Sequence, residues 1–117
     1  MEILIILNDP PYGTERCYNA LRLALSLLKN GATSKITVFL MADSVVAART
    51  GQKTPDGYYN VERMLKRITA TQGDVLLCGT CMDTRGLDAD DLIAHARRSN
   101  MDELTGLTIN ADKVMVF

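Results

Sequence analysis

The sequence predicts an α/β protein in which a parallel sheet lies between helices. Three observations lead there. Ile3–Leu7 is a continuous apolar run, as a strand buried on both faces requires. Apolar residues at helical spacing follow it, and a second such segment starts near Asn60. Strand-like and helix-like segments then alternate, which makes successive strands parallel through right-handed crossovers.

Each element has its own signal. Asn8-Asp9-Pro10-Pro11-Tyr12-Gly13 breaks the first strand. Thr14 is positioned to cap a helix running to Asn30, and Glu15 suits its positive end. Cys17, Ala20, Leu21, Ala24, Leu25 and Leu28 repeat on one face, and Gly31 stops the helix. Leu23 and Leu27 fall elsewhere, so this helix is apolar on two sides, which hints at a subunit interface. Lys35–Met41 reads as the second strand. A short helix at Ser44–Arg49 and a mobile loop to Tyr59 should follow, and loops of that length often carry function. Asn60 is placed to cap a helix with Val61, Met64, Leu65 and Ile68 on one face, ended by Gly73. Asp74–Cys78 is the third strand, and a loop is expected after it. A short helix at Asp88–Ala96, a helix at Met101–Asn110 entered through Asn100, and a strand at Lys113–Phe117 complete the chain. Gly106 weakens the last helix.

The 117 residues suffice for one domain spanning 1–117 but not for two cores. Hydrophobic residues make up 47% and charged residues 23%, and the net charge is −1, so there is no basic excess to favour nucleic acid. No apolar run approaches the roughly 20 residues of a membrane span. The N-terminus has no basic lead or cleavage site of a signal peptide. Three cysteines do not make a secreted disulfide scaffold, so a reducing cytoplasmic setting is expected.

In open parallel sheets, sites form beyond the carboxyl ends of the strands. That edge should collect Asn8, Asp9 and Tyr12 after the first strand. Asp43 and the Gly51-Gln52-Lys53 loop follow the second. Cys78-Gly79-Thr80-Cys81 and Arg85-Gly86 follow the third. Cys78 and Cys81 form a CxxC, whose spacing lets two sulfurs act as a redox pair or lets one thiol resolve the other. The bland alternative is a buried strand-end cysteine and an idle loop cysteine. A thioredoxin-like role would need the pair at a helix start after the first strand. A structural zinc would need four ligands, reached only by spending Cys17, Cys78, Cys81 and the one histidine, His95. Cys17 reads better as core, and no metal is expected. Phosphate-loop patterns are absent, and no cofactor is expected.

The combination resembles a known family. Pro11-Tyr12-Gly13, Phe39-Leu40-Met41-Ala42-Asp43, Gly51-Gln52-Lys53, Leu77-Cys78-Gly79-Thr80-Cys81, Arg85-Gly86-Leu87 and Ala111-Asp112-Lys113-Val114 are similar to the DsrE/DsrF-like proteins, and to their YchN-like branch above all. The resemblance implies a three-layer α/β/α fold with a five-stranded parallel sheet in the order 4-3-2-1-5, and a short fourth strand near Ala96–Ser99. It implies homo-oligomers, trimers or hexamers. In the sulfur-relay members, a cysteine at the end of strand three carries persulfide sulfur, with Arg-Gly seven and eight residues on. Cys78, Arg85 and Gly86 keep that spacing. Cys81 has no counterpart there, because the relay subunits carry a small residue at its position.

The expected function is therefore that of a sulfur-relay or sulfurtransferase-like carrier, exchanging sulfur with donor and acceptor proteins. Cys78 and Cys81 would do the chemistry, and Asn8, Tyr12, Asp43, Lys53 and Arg85 would line the site. Arg85 and strand-end amides would stabilise the thiolate. Two alternatives stay open: a non-catalytic oligomeric binding or regulatory module, and a thiol redox sensor using Cys78 and Cys81.

Overall fold

The computed structural model describes residues 1–33 and 35–117. Five strands form one parallel sheet: β1 Glu2–Leu7, β2 Lys35–Leu40, β3 Asp74–Cys78, β4 Ala96–Ser99 and β5 Lys113–Val116, in the order β4-β3-β2-β1-β5. The four helices are α1 Arg16–Asn30, α2 Val61–Ala70, α3 Gly79–Thr84 and α4 Met101–Asn110.

Strand alternation divides the core. Ile3, Ile5 and Leu7, with Ile36, Val38 and Leu40 and with Val75 and Leu77, point towards α1 and α2. Cys17, Ala20, Leu21 and Ala24 of α1 and Val61, Leu65 and Ile68 of α2 close this side. Ala20 and Ala24 carry little bulk, which lets α1 approach the sheet closely. Among the described residues the opposite face holds only Leu4, Phe39, Leu76 and Leu104 as buried apolar side chains, with Ile6, Met41 and Cys78 half-covered beside them. One helix, α4, covers it. The uneven cover leaves Val114 and Val116 of β5 and Met101 and Ile109 of α4 exposed. Their register partners Leu4 and Ile6 place Val114 and Val116 on the α4 face.

Several expectations change on contact with the structure. α1 starts at Arg16, with Glu15 rather than Thr14 at the cap position and no side-chain cap bond there. Thr14 instead donates to Asp9 at 3.0 Å, which occupies its hydroxyl in the turn. The two-sided apolar character of α1 does not leave large bare leucines, since Leu23, Leu25, Leu27 and Leu28 are all half-buried. The Ser44–Arg49 helix is a 3-10 helix over Ala42–Ala48. Asp88–Ala96 holds only a 3-10 turn, Ala89–Asp91, closed by a reciprocal bond between Asp88 and Asp91. Leu92 and Ile93 beyond it turn into the core, and β4 takes the following residues.

The segment after the 3-10 helix is tethered rather than mobile. Gln52 carries it: its side-chain amide donates to the carbonyls of Ala47 and Arg49 at 2.8 and 2.9 Å, and its backbone N–H donates to Glu62 at 2.9 Å. Tyr12 donates to Gln52 at 2.6 Å and accepts the N–H of Val61 at 3.1 Å. Two predicted caps are present: Asn60 accepts from Arg63 N–H at 3.0 Å, and Asn100 from Glu103 N–H at 2.8 Å. Among the described residues, no helix is long and apolar enough to cross a membrane.

Candidate functional site

β3 ends at Cys78, and α3 begins at once with Gly79. The CxxC therefore sits at a helix start and not in the loop expected after β3. Cys78 caps that helix with its sulfur, which accepts the backbone N–H of Cys81 at 3.3 Å. At the next residue, Gly79, a β-carbon would stand 2.6 Å from the Arg98 guanidinium. The missing side chain lets the arginine of the neighbouring strand lie across the helix start.

The two sulfurs face different surroundings. By strand alternation Cys78 belongs to the α4 face, half-exposed, beside Ser99, its register partner on β4. It opens into a cavity of about 580 Å3 lined by Gly79, Thr80, Cys81, Arg98, Ser99, Asn100 and Met101. Cys81 instead packs towards the α1–α2 side, and its sulfur accepts the N–H of Ala42 at 3.2 Å. Ala42 adopts φ 50, a left-handed conformation that costs an alanine about 1 kcal/mol. Burial, followed by the neighbouring Cys78 sulfur, pushes the Cys81 thiol above its ordinary range, despite the opposing Ala42 N–H and Arg85.

Two arginine–aspartate pairs frame the pair of thiols. Arg85 reaches Asp43 with two N–H groups at 3.0 and 2.8 Å and the carbonyl of Cys81 with a third at 3.1 Å. Arg98 binds Asp83 through both oxygens at 2.7 and 2.8 Å. The fork geometry fixes the guanidinium plane. Below Arg98, Glu103 accepts from Arg97 at 2.9 and 2.5 Å and from Ser99.

Cys81, Asp43 and Arg85 come together through the bonds of Arg85, and Cys78 joins them through the Cys81 N–H. Contrary to expectation, the guanidinium lining the Cys78 cavity is that of Arg98, because Arg85 is turned to Asp43 and the Cys81 carbonyl. Tyr12 serves the loop tether, Asn8 donates to the carbonyl of Phe117 at 3.4 Å across the β1–β5 edge, and Lys53 is exposed on the loop. Cys17 lies in the core and donates to the carbonyl of Asp9 at 3.1 Å; burial, then Asp9, pushes it up to about 12. His95 is exposed. No group of three or more His, Cys, Asp or Glu side chains among the described residues can hold a metal ion.

Arg98 and Ser99 are the site residues that reading the residue types alone passes over. They lie 20 and 21 positions from Cys78 and carry no motif. Their signal is positional: a fourth strand at Ala96–Ser99 beside the third sets its last residues next to Cys78.

Residues 1–117 match the DsrE/DsrF-like family over their full length. The chain belongs to the DsrE/DsrF-like family. Protein YchN of Escherichia coli (strain K12) is 40% identical over 116 residues, covering 99% of this chain and 98% of that one. The uncharacterised protein MJ0989 of Methanocaldococcus jannaschii is 34% identical over the whole of both chains. The crystal structure of the Escherichia coli YchN protein superposes with a TM-score of 0.93, covering 99% of this chain and 98% of that one. The protein of unknown function MTH1491 from Methanobacterium thermoautotrophicum, at 14% identity and a TM-score of 0.78 over 99% and 97% of the two chains, shares the fold. The five-stranded parallel sheet is thus the DsrE/DsrF-like scaffold, and Cys78 stands at the end of its third strand.

Proposed function

We propose that this protein is a sulfur carrier of the sulfur-relay type, holding persulfide sulfur on Cys78. One observation carries the reading. The Cys78 sulfur takes a backbone N–H at the mouth of a cavity whose wall includes the Arg98 guanidinium, itself paired with Asp83, so a hydrogen-bond donor and a cation face the atom that must bear negative charge. The step balances without any further reactant. The Cys78 thiolate attacks the outer sulfur of a persulfide donor, R–S–SH, forming a new S–S bond as the old one breaks. R–S⁻ leaves, and Cys78 holds S–SH. An acceptor thiolate then attacks that outer sulfur, and the Cys78 thiolate is released.

Cys81 offers a second exit. Its thiolate would attack the inner sulfur, expel HS⁻ and leave a Cys78–Cys81 disulfide that a cellular dithiol must reduce. Burial and the Cys78 sulfur raise the Cys81 thiol pKa, which lowers the thiolate fraction available for this exit at neutral pH. The direct route is therefore the main one.

The assembly we propose is a homo-oligomer, a trimer or hexamer, in a cytoplasmic setting, closed through the thinly covered α4 face. Met101 is 60% exposed and also lines the Cys78 cavity, so a copy seated there would roof it. Donor and acceptor proteins would then reach Cys78 from the remaining open side.

The functional test is sulfide release. Protein treated with a persulfide donor, desalted and then reduced should yield sulfide in proportion to chain concentration, and Cys78→Ser should yield none. Equal release from that variant would assign the sulfur elsewhere. Sedimentation of Val116→Glu should show smaller particles than wild type, and unchanged particles would remove the α4 face from the assembly.

A further inference from the structure

The sheet face opposite Cys78 carries a second concavity. It lies between α1 and α2 and measures about 570 Å3, within the usual range for small-ligand sites. Its wall combines two features the fold does not require. The first is charge. Arg22 and Lys29 of α1 and Arg63 and Arg67 of α2 line it, and no aspartate or glutamate does. Among the described residues, six of the cations outside the groove pair with carboxylates (Arg16 with Asp9, Lys35 with Asp74, Lys66 with Glu62, Arg85 with Asp43, Arg97 with Glu103 and Arg98 with Asp83), while Arg49, Lys53 and Lys113 stand apart from one another without such a pair. The four of the groove have no such pair either, and they stand together. In a chain of net charge −1, four unpaired cations on one groove are a local excess.

The second feature is a ring stack. Tyr18 lies on Tyr59 with centroids 4.2 Å apart, and Tyr59 on Tyr58 at 4.5 Å. Arg22 closes one end of the stack, 5.3 Å above the Tyr18 ring. The other end is open, because Tyr58 is 52% exposed with only its inner side stacked. An exposed tyrosine held flat by a stack beneath it is a ready platform for another planar ring. The platform is also rigid. Tyr12 reinforces Tyr59 from 5.6 Å, and Tyr12 is itself held by Gln52 and Val61. The Tyr59 hydroxyl, bonded to Tyr58 and partly buried, is pushed up to about 12 and so stays neutral. The groove's charge is therefore that of its arginines and lysine.

We propose that the α1–α2 groove binds a small phosphate-bearing ligand of the nucleotide class, its base stacked on Tyr58 and its phosphates held by Arg63, Arg67, Arg22 and Lys29. Charge complementarity selects a polyanion, and the open ring selects one with a planar aromatic part. The volume of about 570 Å3 accommodates a single nucleotide. The groove and the Cys78 cavity occupy opposite faces of the sheet, so this site stands whether or not Cys78 carries sulfur.

Calorimetric titration of the full chain with adenosine triphosphate, tripolyphosphate and adenosine tests it. The nucleotide should bind at least about tenfold more tightly than either part. Arg63→Met/Arg67→Met and Tyr58→Ala should each weaken it by about tenfold or more, with far-ultraviolet dichroism unchanged, since all three side chains are exposed. Lys113→Met on β5 should bind as wild type does. Three results would overturn the proposal: no nucleotide binding at about 1 mM, tripolyphosphate binding as tightly as the nucleotide, or binding indifferent to the groove substitutions. A fourth would reassign the groove to a second copy of this chain: smaller particles in sedimentation of Arg63→Met/Arg67→Met than of wild type, with no nucleotide bound.

Discussion

The Arg98 guanidinium lies across Gly79, 2.6 Å from where a β-carbon of residue 79 would stand. That relationship sets a cation at the wall of the Cys78 cavity. Asp83, on the same short helix, holds the guanidinium by both its oxygens.

Arg98→Met removes the cation and keeps most of the stem. Cys78 alkylation at neutral pH should slow roughly two- to fivefold, the scale of a half-exposed charge interaction. Gly79→Ala should act in the same direction, because the arginine tip must move away, while thermal stability changes little. Equal alkylation rates in wild type and both variants would show that Arg98 does not act on the sulfur.

The three thiols should react in a fixed order. Cys78 should be labelled first. Cys81 should lag at neutral pH and gain on it as pH rises, since its thiol is raised by burial and by Cys78. Cys17 should remain unlabelled in the folded protein, being fully buried and pushed up to about 12. Peptide mass mapping after timed alkylation reads all three.

Glu62 is 7% exposed, yet it is charged and shared. Burial pushes its carboxyl up, but Lys66 at 2.8 Å and the N–H of Gln52 outweigh that and hold it below the ordinary range. Glu62→Ala leaves the Gln52 N–H without its acceptor. A loss of about 1–3 kcal/mol is expected in chemical denaturation, together with faster proteolysis near Gly51. Unchanged proteolysis would mean the loop is held by its other bonds.

Glu103 should make the fold acid-sensitive. Arg97, then Ser99, hold its carboxyl down to about 2. A depressed folded value means the stabilisation is present above the ordinary carboxyl range, near pH 4.5, and is lost as pH falls towards 2. Because the Arg97 side chain is 58% exposed, screening reduces the contribution to about 1 kcal/mol. Glu103→Gln should lower stability at pH 7 by that amount and flatten its decline below pH 4.5. A parallel decline in variant and wild type would contradict the assignment.

Much of the fold is legible from local pattern. The apolar runs at β1, β2 and β3 and the Asn60 and Asn100 caps are signals within a few residues, and the structure keeps them. Asp88–Ala96 misleads because Asp88 carries a true cap signal for a turn that goes no further: Leu92 and Ile93 are drawn into the core, which ends the helix. The loop up to Tyr59 reads as mobile because its restraint comes from Tyr12, 40 positions from Gln52, and from Glu62 on the following helix, neither of which has a local signal. The site divides in the same way. Cys78 ends β3, and Asp43, Cys81 and Arg85 lie in the segments that leave the carboxyl ends of β2 and β3, where topology gathers them. Arg98 acts through its neighbour's missing side chain, which only the paired strands reveal.

The most direct measurement of the central claim is intact mass after exposure to a persulfide donor. Wild type and Cys81→Ser should each gain the mass of one sulfur atom, removable by reductant, and Cys78→Ser should gain none. No gain in wild type, or an equal gain in Cys78→Ser, would contradict the account.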